Sequence, residues 1–199
     1  MKEHIKLFVD LKQARKFREK QKLEVQIKRL EREDDVQAFD CGDHELNDYL
    51  KRHAWASQQQ NSVGVTYVAV DHGVVLGYYT LASGSILRDL LNPDMVTGLP
   101  RYRNLPVALL ARLAVDLRVQ TSGLGKSLLR DAFTVVLNLS RQIGLLYLIV
   151  DAYPTAVEWF RRFGFITIGE KPAAGTQHML IDLRTVTAAL IAGSNPLSR

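Results

Sequence analysis

The chain has 199 residues, 47% hydrophobic and 24% charged, which excludes a disordered or fibrous protein and allows one self-sufficient core. No apolar run approaches the ~20 residues of a membrane span, the start is too charged for a signal peptide, and the single Cys41 cannot close an internal disulfide; a cytoplasmic protein with no membrane partner is expected. The net charge of +5 is concentrated at the start: residues 1–32 hold 11 Lys/Arg against 5 Asp/Glu, and the rest hold 15 against 16.

Lys2 to Lys22 carries Leu7, Leu11, Ala14 and Phe17 at helical spacing among basic residues, which predicts a basic helical extension over 1–22. Such an arm reads equally as a contact for RNA or an acidic partner and as a solvated helix face. The main domain is expected over 23–190, with a flexible tail over 191–199. Leu23, Val25 and Ile27 alternate with polar residues and predict a first strand. Asp43 is a candidate N-cap for a helix burying Leu46, Tyr49, Leu50 and Ala54. Thr66–Val70 and Val74–Ala82, joined by Asp71-His72-Gly73, predict a hairpin. Leu87 to Pro106 contains Pro93, Gly98 and Pro100 and reads as loop with one short helix.

The apolar run Val107–Val115 predicts a central strand buried on both faces. A helix from Leu124 to Leu139 follows, with Leu128, Leu129, Ala132, Val136 and Leu139 inward. Leu145–Val150 predicts another buried strand. Pro154 opens a short helix through Arg162, with Gly164 near its C-terminal cap. Phe165–Ile168 and His178–Leu183 are expected to be closing strands. Strands alternating with helices over one core make the chain α/β, or α+β if antiparallel pairs dominate.

Between the central strand and the Leu124 helix lies Gln120-Thr121-Ser122-Gly123-Leu124-Gly125. A strand, a glycine turn and a helix N-terminus make an anion site, because first-turn N–H groups lack intrahelical partners and the dipole favours negative charge. The spacing is not the dinucleotide Gly-x-Gly-x-x-Gly. Gly125-Lys126-Ser127 imitates the end of a P-loop, but the glycine required five positions earlier is Gln120. His4, His44, His53, His72 and His178 show no metal spacing with Cys41 or acidic residues, so no metal is expected.

Arg112-Leu113-Ala114-Val115-Asp116, Gln120-x-x-Gly-x-Gly, Val150-Asp151-Ala152 and Trp159-Phe160-Arg161-Arg162-Phe163-Gly164-Phe165 together resemble the GNAT superfamily of N-acetyltransferases. Phe39-Asp40-Cys41-Gly42 through Leu50, with Gly77-Tyr78-Tyr79-Thr80-Leu81, resembles the toxin branch found in type II toxin–antitoxin systems. The likeness covers about residues 24 to 183. It implies a mixed central sheet with a splayed parallel strand pair and flanking helices. It implies acetyl-CoA as cofactor, its diphosphate held by the amides of Gln120, Thr121, Ser122, Gly123, Leu124 and Gly125, with Lys126 and Ser127 adding a charge and a hydroxyl. Leu113, Ala114 and Val115 would supply the pantetheine contacts and carbonyl donors.

The implied acceptor is the α-amine of an aminoacyl-tRNA, whose acetylation blocks translation; with a pKa of about 7.7–8.0 it needs only a weak base. Arg88, Arg101, Arg103, Arg161 and Arg162 are the candidate RNA contacts, with Arg112, Arg118, Lys51 and Arg52 behind them. The branch pairs with ribbon-helix-helix antitoxins and commonly forms homodimers. The family's tyrosine general acid falls at Phe160, which keeps the ring and loses the hydroxyl, so a feeble or silenced copy is expected unless Tyr153, Tyr147 or water protonates the thiolate. A small-amine or protein N-terminal acetyltransferase, and a catalytically dead acetyl-CoA-binding module, are the alternatives.

Overall fold

A computed structural model describes residues 25–60, 63–169 and 175–191. The expected extension over 1–22 and the tail from Gly193 lie outside the described residues. Seven strands form one sheet: β1 (Gln26–Arg29), β2 (Val65–Asp71), β3 (Val74–Leu87), β4 (Asn104–Val115), β5 (Tyr147–Ala152), β6 (Ile166–Thr167) and β7 (Gln177–Asp182). Their order is β1-β2-β3-β4-β5-β7-β6. Every neighbouring pair is antiparallel except β4 and β5. That parallel pair needs a crossover, which α4 (Leu124–Ser140) supplies.

The β2–β3 hairpin turns at His72 (φ 47°) and Gly73 (φ 83°), and two successive positive φ values suit the right-handed strand twist. Both β3 and β4 run further than their apolar residues imply. The structure continues β3 to Leu87 and starts β4 at Asn104, so the Leu87–Pro106 connection is shorter than expected. Within it lie a 3₁₀ turn at Arg88–Leu90 and the short helix α3 (Pro93–Val96).

On one face of the sheet, α4 buries Leu124, Leu128, Leu129, Ala132, Phe133 and Val136, each side chain larger than alanine contributing about 1.5–3 kcal/mol gross. Leu139 falls on the same stripe but sits in the last turn, where the helix outruns the core and leaves it 39% exposed. Close seating of α4 depends on Gly77: a Cβ there would stand 2.9 Å from Leu128 Cδ1 and 3.2 Å from the Ala114 carbonyl oxygen.

The opposite face carries the helical segment α1 (His44–Asp48), a π turn (Tyr49–His53) and α2 (Ala54–Gln59). Asp43 caps it, accepting from Leu46 N at 3.0 Å. The Ala54 N–H reaches back five residues to the Tyr49 carbonyl, so Tyr49, Leu50 and Ala54 all face the core across an irregular spacing. Helix α5 (Val157–Arg161) precedes Gly164 (φ 88°), and α6 (Leu183–Ile191) closes the described chain. No described helix is long and apolar enough to cross a membrane.

Candidate active site

The parallel pair diverges. Val107 to Leu110 pair with Tyr147 to Val150 and the ladder stops there. Beyond Leu110, β4 pairs only with β3, and Asp151 and Ala152 of β5 pair only with β7. The register between β3 and β4 slips at this point, since Thr80 faces Arg112 and Leu81 faces Leu110. Ala111 is therefore an extra residue, a bulge of the kind that bends a strand beside a working site. Ala111 is exposed, and Arg112, Leu113 and Val115 are only half-buried. A strand expected to be buried on both faces thus opens one edge to a cavity.

That cavity measures about 820 Å³ and runs through the gap between the strand ends to the glycine turn. Gly123 (φ 93°) and Thr121 (φ 67°) are left-handed, which turns the chain sharply into α4. Ser127 N donates to the Gly123 carbonyl at 3.1 Å, starting the helix. Among the described residues, the N–H groups of Thr121, Gly123, Gly125 and Lys126 find no protein acceptor. Four free donors at a helix N-terminus beside a glycine fit a diphosphate.

The Phe39–Leu50 block is fastened to this turn. The Asp116 side chain is 1% exposed. It accepts from Asp40 N at 3.0 Å and from Arg118 N, Nε and Nη2 at 2.9, 2.7 and 2.7 Å. Burial pushes the Asp116 carboxyl up, but those donors together hold it below the usual carboxylate value. Gln120 Nε2 donates at 3.1 Å to the carbonyls of both Cys41 and Val115. Asn47 completes the fastening, accepting from Cys41 N at 2.9 Å and donating to Asp40 Oδ1 at 2.7 Å. Cys41 is a half-buried thiol whose proton is held more tightly because of burial.

Of the residues expected to hold a cofactor, Leu113, Val115, Gln120, Thr121, Gly123, Gly125 and Lys126 line the cavity, as does Phe160. Ala114 is buried beneath the α1–α2 segment and Leu124 belongs to the core under α4. Ser122 and Ser127 stand off the cavity wall; the Ser127 hydroxyl lies 3.4 Å from the Gly123 carbonyl.

Arg88 braces its own loop through the carbonyls of Pro100 (2.7 Å) and Val96 (2.9 Å), which leaves little for a phosphate. Arg161 pairs with Glu158. Arg101 and Arg103 are exposed in the loop between β3 and β4, and Arg162 is exposed just after α5. Besides Lys126 at the glycine turn, Arg112 brings a cation into the cavity, its guanidinium 3.6 Å from the centre of the Tyr49 ring. Tyr153, named above as an alternative proton donor, lines the cavity too, whereas Tyr147 does not. Glu45, Asp151, Thr155, Trp159 and Thr176 also line it and were not singled out as site residues; the ends of two buried strand patterns were the available signal.

A diverging parallel pair, unpaired strand edge and donor-lined helix entrance define an acetyl-CoA-dependent N-acetyltransferase of the GNAT type. The acetyltransferase (GNAT) domain family matches residues 27–179, and the chain belongs to it. It falls in the branch of that family that contains toxins. A "tRNA-acetylating toxin" of Mycobacterium tuberculosis (strain ATCC 25618 / H37Rv) is 38% identical over 125 residues, covering 63% of this chain and 74% of the relative. AtaT complexed with acetyl-methionyl-tRNAfMet is similar in structure, with TM-score 0.76 and 27% identity over 84% of this chain and 99% of that one. A tyrosine-to-phenylalanine mutant of the AtaT toxin, bound to the C-terminus of the antitoxin AtaR and acetyl-CoA, has TM-score 0.68 and 27% identity over 83% and 98%.

Proposed function

We propose that this chain acetylates the α-amine of an aminoacyl-tRNA and so blocks translation, acting in the cytoplasm under the control of a ribbon-helix-helix antitoxin. The carrying observation is the cavity that joins the free amides at Thr121–Lys126 to the parted ends of β4 and β5. Acetyl-CoA supplies a thioester already activated for acyl transfer. The amides of Thr121, Gly123, Gly125 and Lys126 would grip its diphosphate, the Lys126 ammonium adding charge. The unpaired edge of β4 over Ala111–Val115 offers backbone donors for the carbonyl as negative charge develops. Arg112, held over the Tyr49 ring, stands where an acceptor's phosphate or carbonyl would pass. Arg101, Arg103 and Arg162 are proposed as RNA contacts on the exposed rim. The acetyl-methionyl-tRNA in the AtaT structure supports this acceptor over a free small amine or a protein N-terminus.

The antitoxin C-terminus in the other AtaT complex supports the proposed partner. Homodimer formation is part of the proposal and is checked by light scattering of the purified chain. Phe160, buried and edge-on to Trp159 and Phe165 at 4.9 and 5.3 Å, occupies the expected position of the acid without a hydroxyl. The silenced-copy reading predicts that Phe160→Tyr raises turnover by ~10²-fold or more. The deciding experiment incubates the chain with labelled acetyl-CoA and a total charged-tRNA pool. Label on aminoacyl-tRNA supports the proposal; label confined to a small amine or protein N-terminus refutes the acceptor; binding with no transfer from any variant marks a binding module.

A further inference from the structure

Acetyl transfer from a thioester leaves a thiolate that must be protonated, and Phe160 has no proton to give. Every other dissociable group on the cavity wall bears on the question. Asp151 is engaged with His178. Lys126 belongs to the diphosphate end, in the first turn of α4. Glu45 comes from the α1 entrance, across the cavity from the end of β5. Tyr147 is fully buried, donates its hydroxyl to the Met95 carbonyl at 2.8 Å and does not line the cavity. Tyr78 donates to Leu46 O, and the Tyr49 ring lies beneath Arg112.

Tyr153 differs from all of these. It follows directly on β5, at the open end of the splay, and among the described residues is the cavity wall's only phenol. The residue is 44% exposed, and its hydroxyl has no partner among the described residues. Its carbonyl accepts from Ala156 N at 2.8 Å, so the turn carrying it is held in place.

We propose that Tyr153 donates the proton that the coenzyme A sulfur takes up, from the end of β5 rather than from α5. The inference rests on the acetyl-transfer reading. As the acceptor nitrogen bonds to the acetyl carbon, the carbon–sulfur bond breaks and its electron pair stays on sulfur. The Tyr153 O–H bond breaks and an S–H bond forms. The phenolate then recovers the proton shed by the newly acylated nitrogen, directly or through water, so no other reactant is consumed. The charged and titratable groups facing the phenol are Asp43, Glu45 and Cys41 from the α1 entrance and Arg112 from β4. Burial first, then the two carboxylates, hold the phenol proton more tightly than usual, and Arg112 opposes them. The group therefore stays protonated at neutral pH.

The test compares the full wild-type chain with Tyr153→Phe, Phe160→Tyr and the double variant. Calorimetry gives acetyl-CoA affinity, ultraviolet difference absorbance follows phenol ionisation with and without coenzyme A, and labelled transfer to charged tRNA gives kcat and KM. Tyr153→Phe should lower kcat by ~10²-fold or more with acetyl-CoA affinity and thermal midpoint unchanged. It should also remove the phenol titration step that coenzyme A displaces. The double variant should recover kcat to within about tenfold of wild type, because a hydroxyl returns at position 160. Undiminished kcat in Tyr153→Phe overturns the inference, as does an inert wild-type chain whose Phe160→Tyr variant is active. Failure of the folded wild-type chain to bind acetyl-CoA overturns the acetyl-transfer reading itself, and this inference with it.

Discussion

Asp116→Asn tests whether the buried carboxylate holds the exit of β4. The carboxylate receives four donors, two from the Arg118 guanidinium and two from backbone N–H groups of Arg118 and Asp40. An amide of the same shape keeps one oxygen and turns an NH₂ group toward donors. If that oxygen stays with Arg118, the Asp40 N–H is left facing another donor, at about 1–3 kcal/mol. The lost attraction to Arg118 is discounted because that side chain is 44% exposed and can turn to water. Together these give about 2–4 kcal/mol, or a thermal midpoint lower by roughly 5–15 °C for a domain of this size. Because the Asp116 pKa is depressed, its contribution is present above the unfolded carboxylate pKa and is lost as pH falls through the folded value. The gap between wild type and variant should therefore stay constant from pH ~7 down to ~5 and close below ~4. Thermal melts across pH give the gap, and calorimetry should show weaker acetyl-CoA binding, since Gln120 hangs from the same loop. A variant melting with wild type at neutral pH, or a gap that fades between pH ~7 and ~5, would refute the reasoning.

Gly77→Ala should destabilise by about 1–3 kcal/mol through overpacking against Leu128 and the Ala114 carbonyl, read as a lower melting temperature. Gly123→Ala meets nothing within 4 Å, so its cost is conformational. Holding alanine left-handed takes about 1–2 kcal/mol, expected as roughly tenfold weaker acetyl-CoA binding where the turn relaxes. Tyr147→Phe should cost stability by about 1 kcal/mol through the lost bond to Met95 and leave kcat unchanged; a fall in kcat would return Tyr147 to consideration as the acid.

Much of this architecture was legible because local chemistry and burial agree. The hairpin at His72-Gly73, the Asp43 cap and the stripe of α4 each carry a pattern whose physical cause lies within a few residues. What escaped was set by partners far along the chain. Ser83-Gly84-Ser85 looks like loop, yet it lies in β3 because Val107, Pro106 and Ala108 of β4 sit opposite it. Leu183 reads as a strand end and residues 184–190 as domain with no assigned element; Leu183–Ile191 is a helix because Leu183 and Val186 find the main core. The glycine turn pointed to the cavity residues Gln120, Thr121, Gly123, Gly125 and Lys126, whereas Thr155 and Thr176 reach the same cavity only through the divergence of β4 from β5. That divergence depends on a ladder stopping at Leu110 and Val150, with Ala111 bulged on the other side. No property of either strand read alone encodes it.

The Phe39–Leu50 block and the glycine turn, about eighty residues apart, make one mechanical unit. A helix entrance can grip a diphosphate only while its amides stay aimed, and Thr121 holds a left-handed φ that glycine would adopt more readily. The restraint comes from outside the turn, because Gln120 is pinned to the Cys41 carbonyl and Leu117 N donates to the Asp40 carbonyl at 2.8 Å. The Asp40 loop is in turn seated by Phe39, fully buried edge-on to Tyr78 at 5.5 Å. A core aromatic contact thus fixes the strained backbone of the binding turn through two loops and a buried carboxylate. Loosening Phe39 should therefore weaken cofactor binding even though its ring lines no part of the cavity.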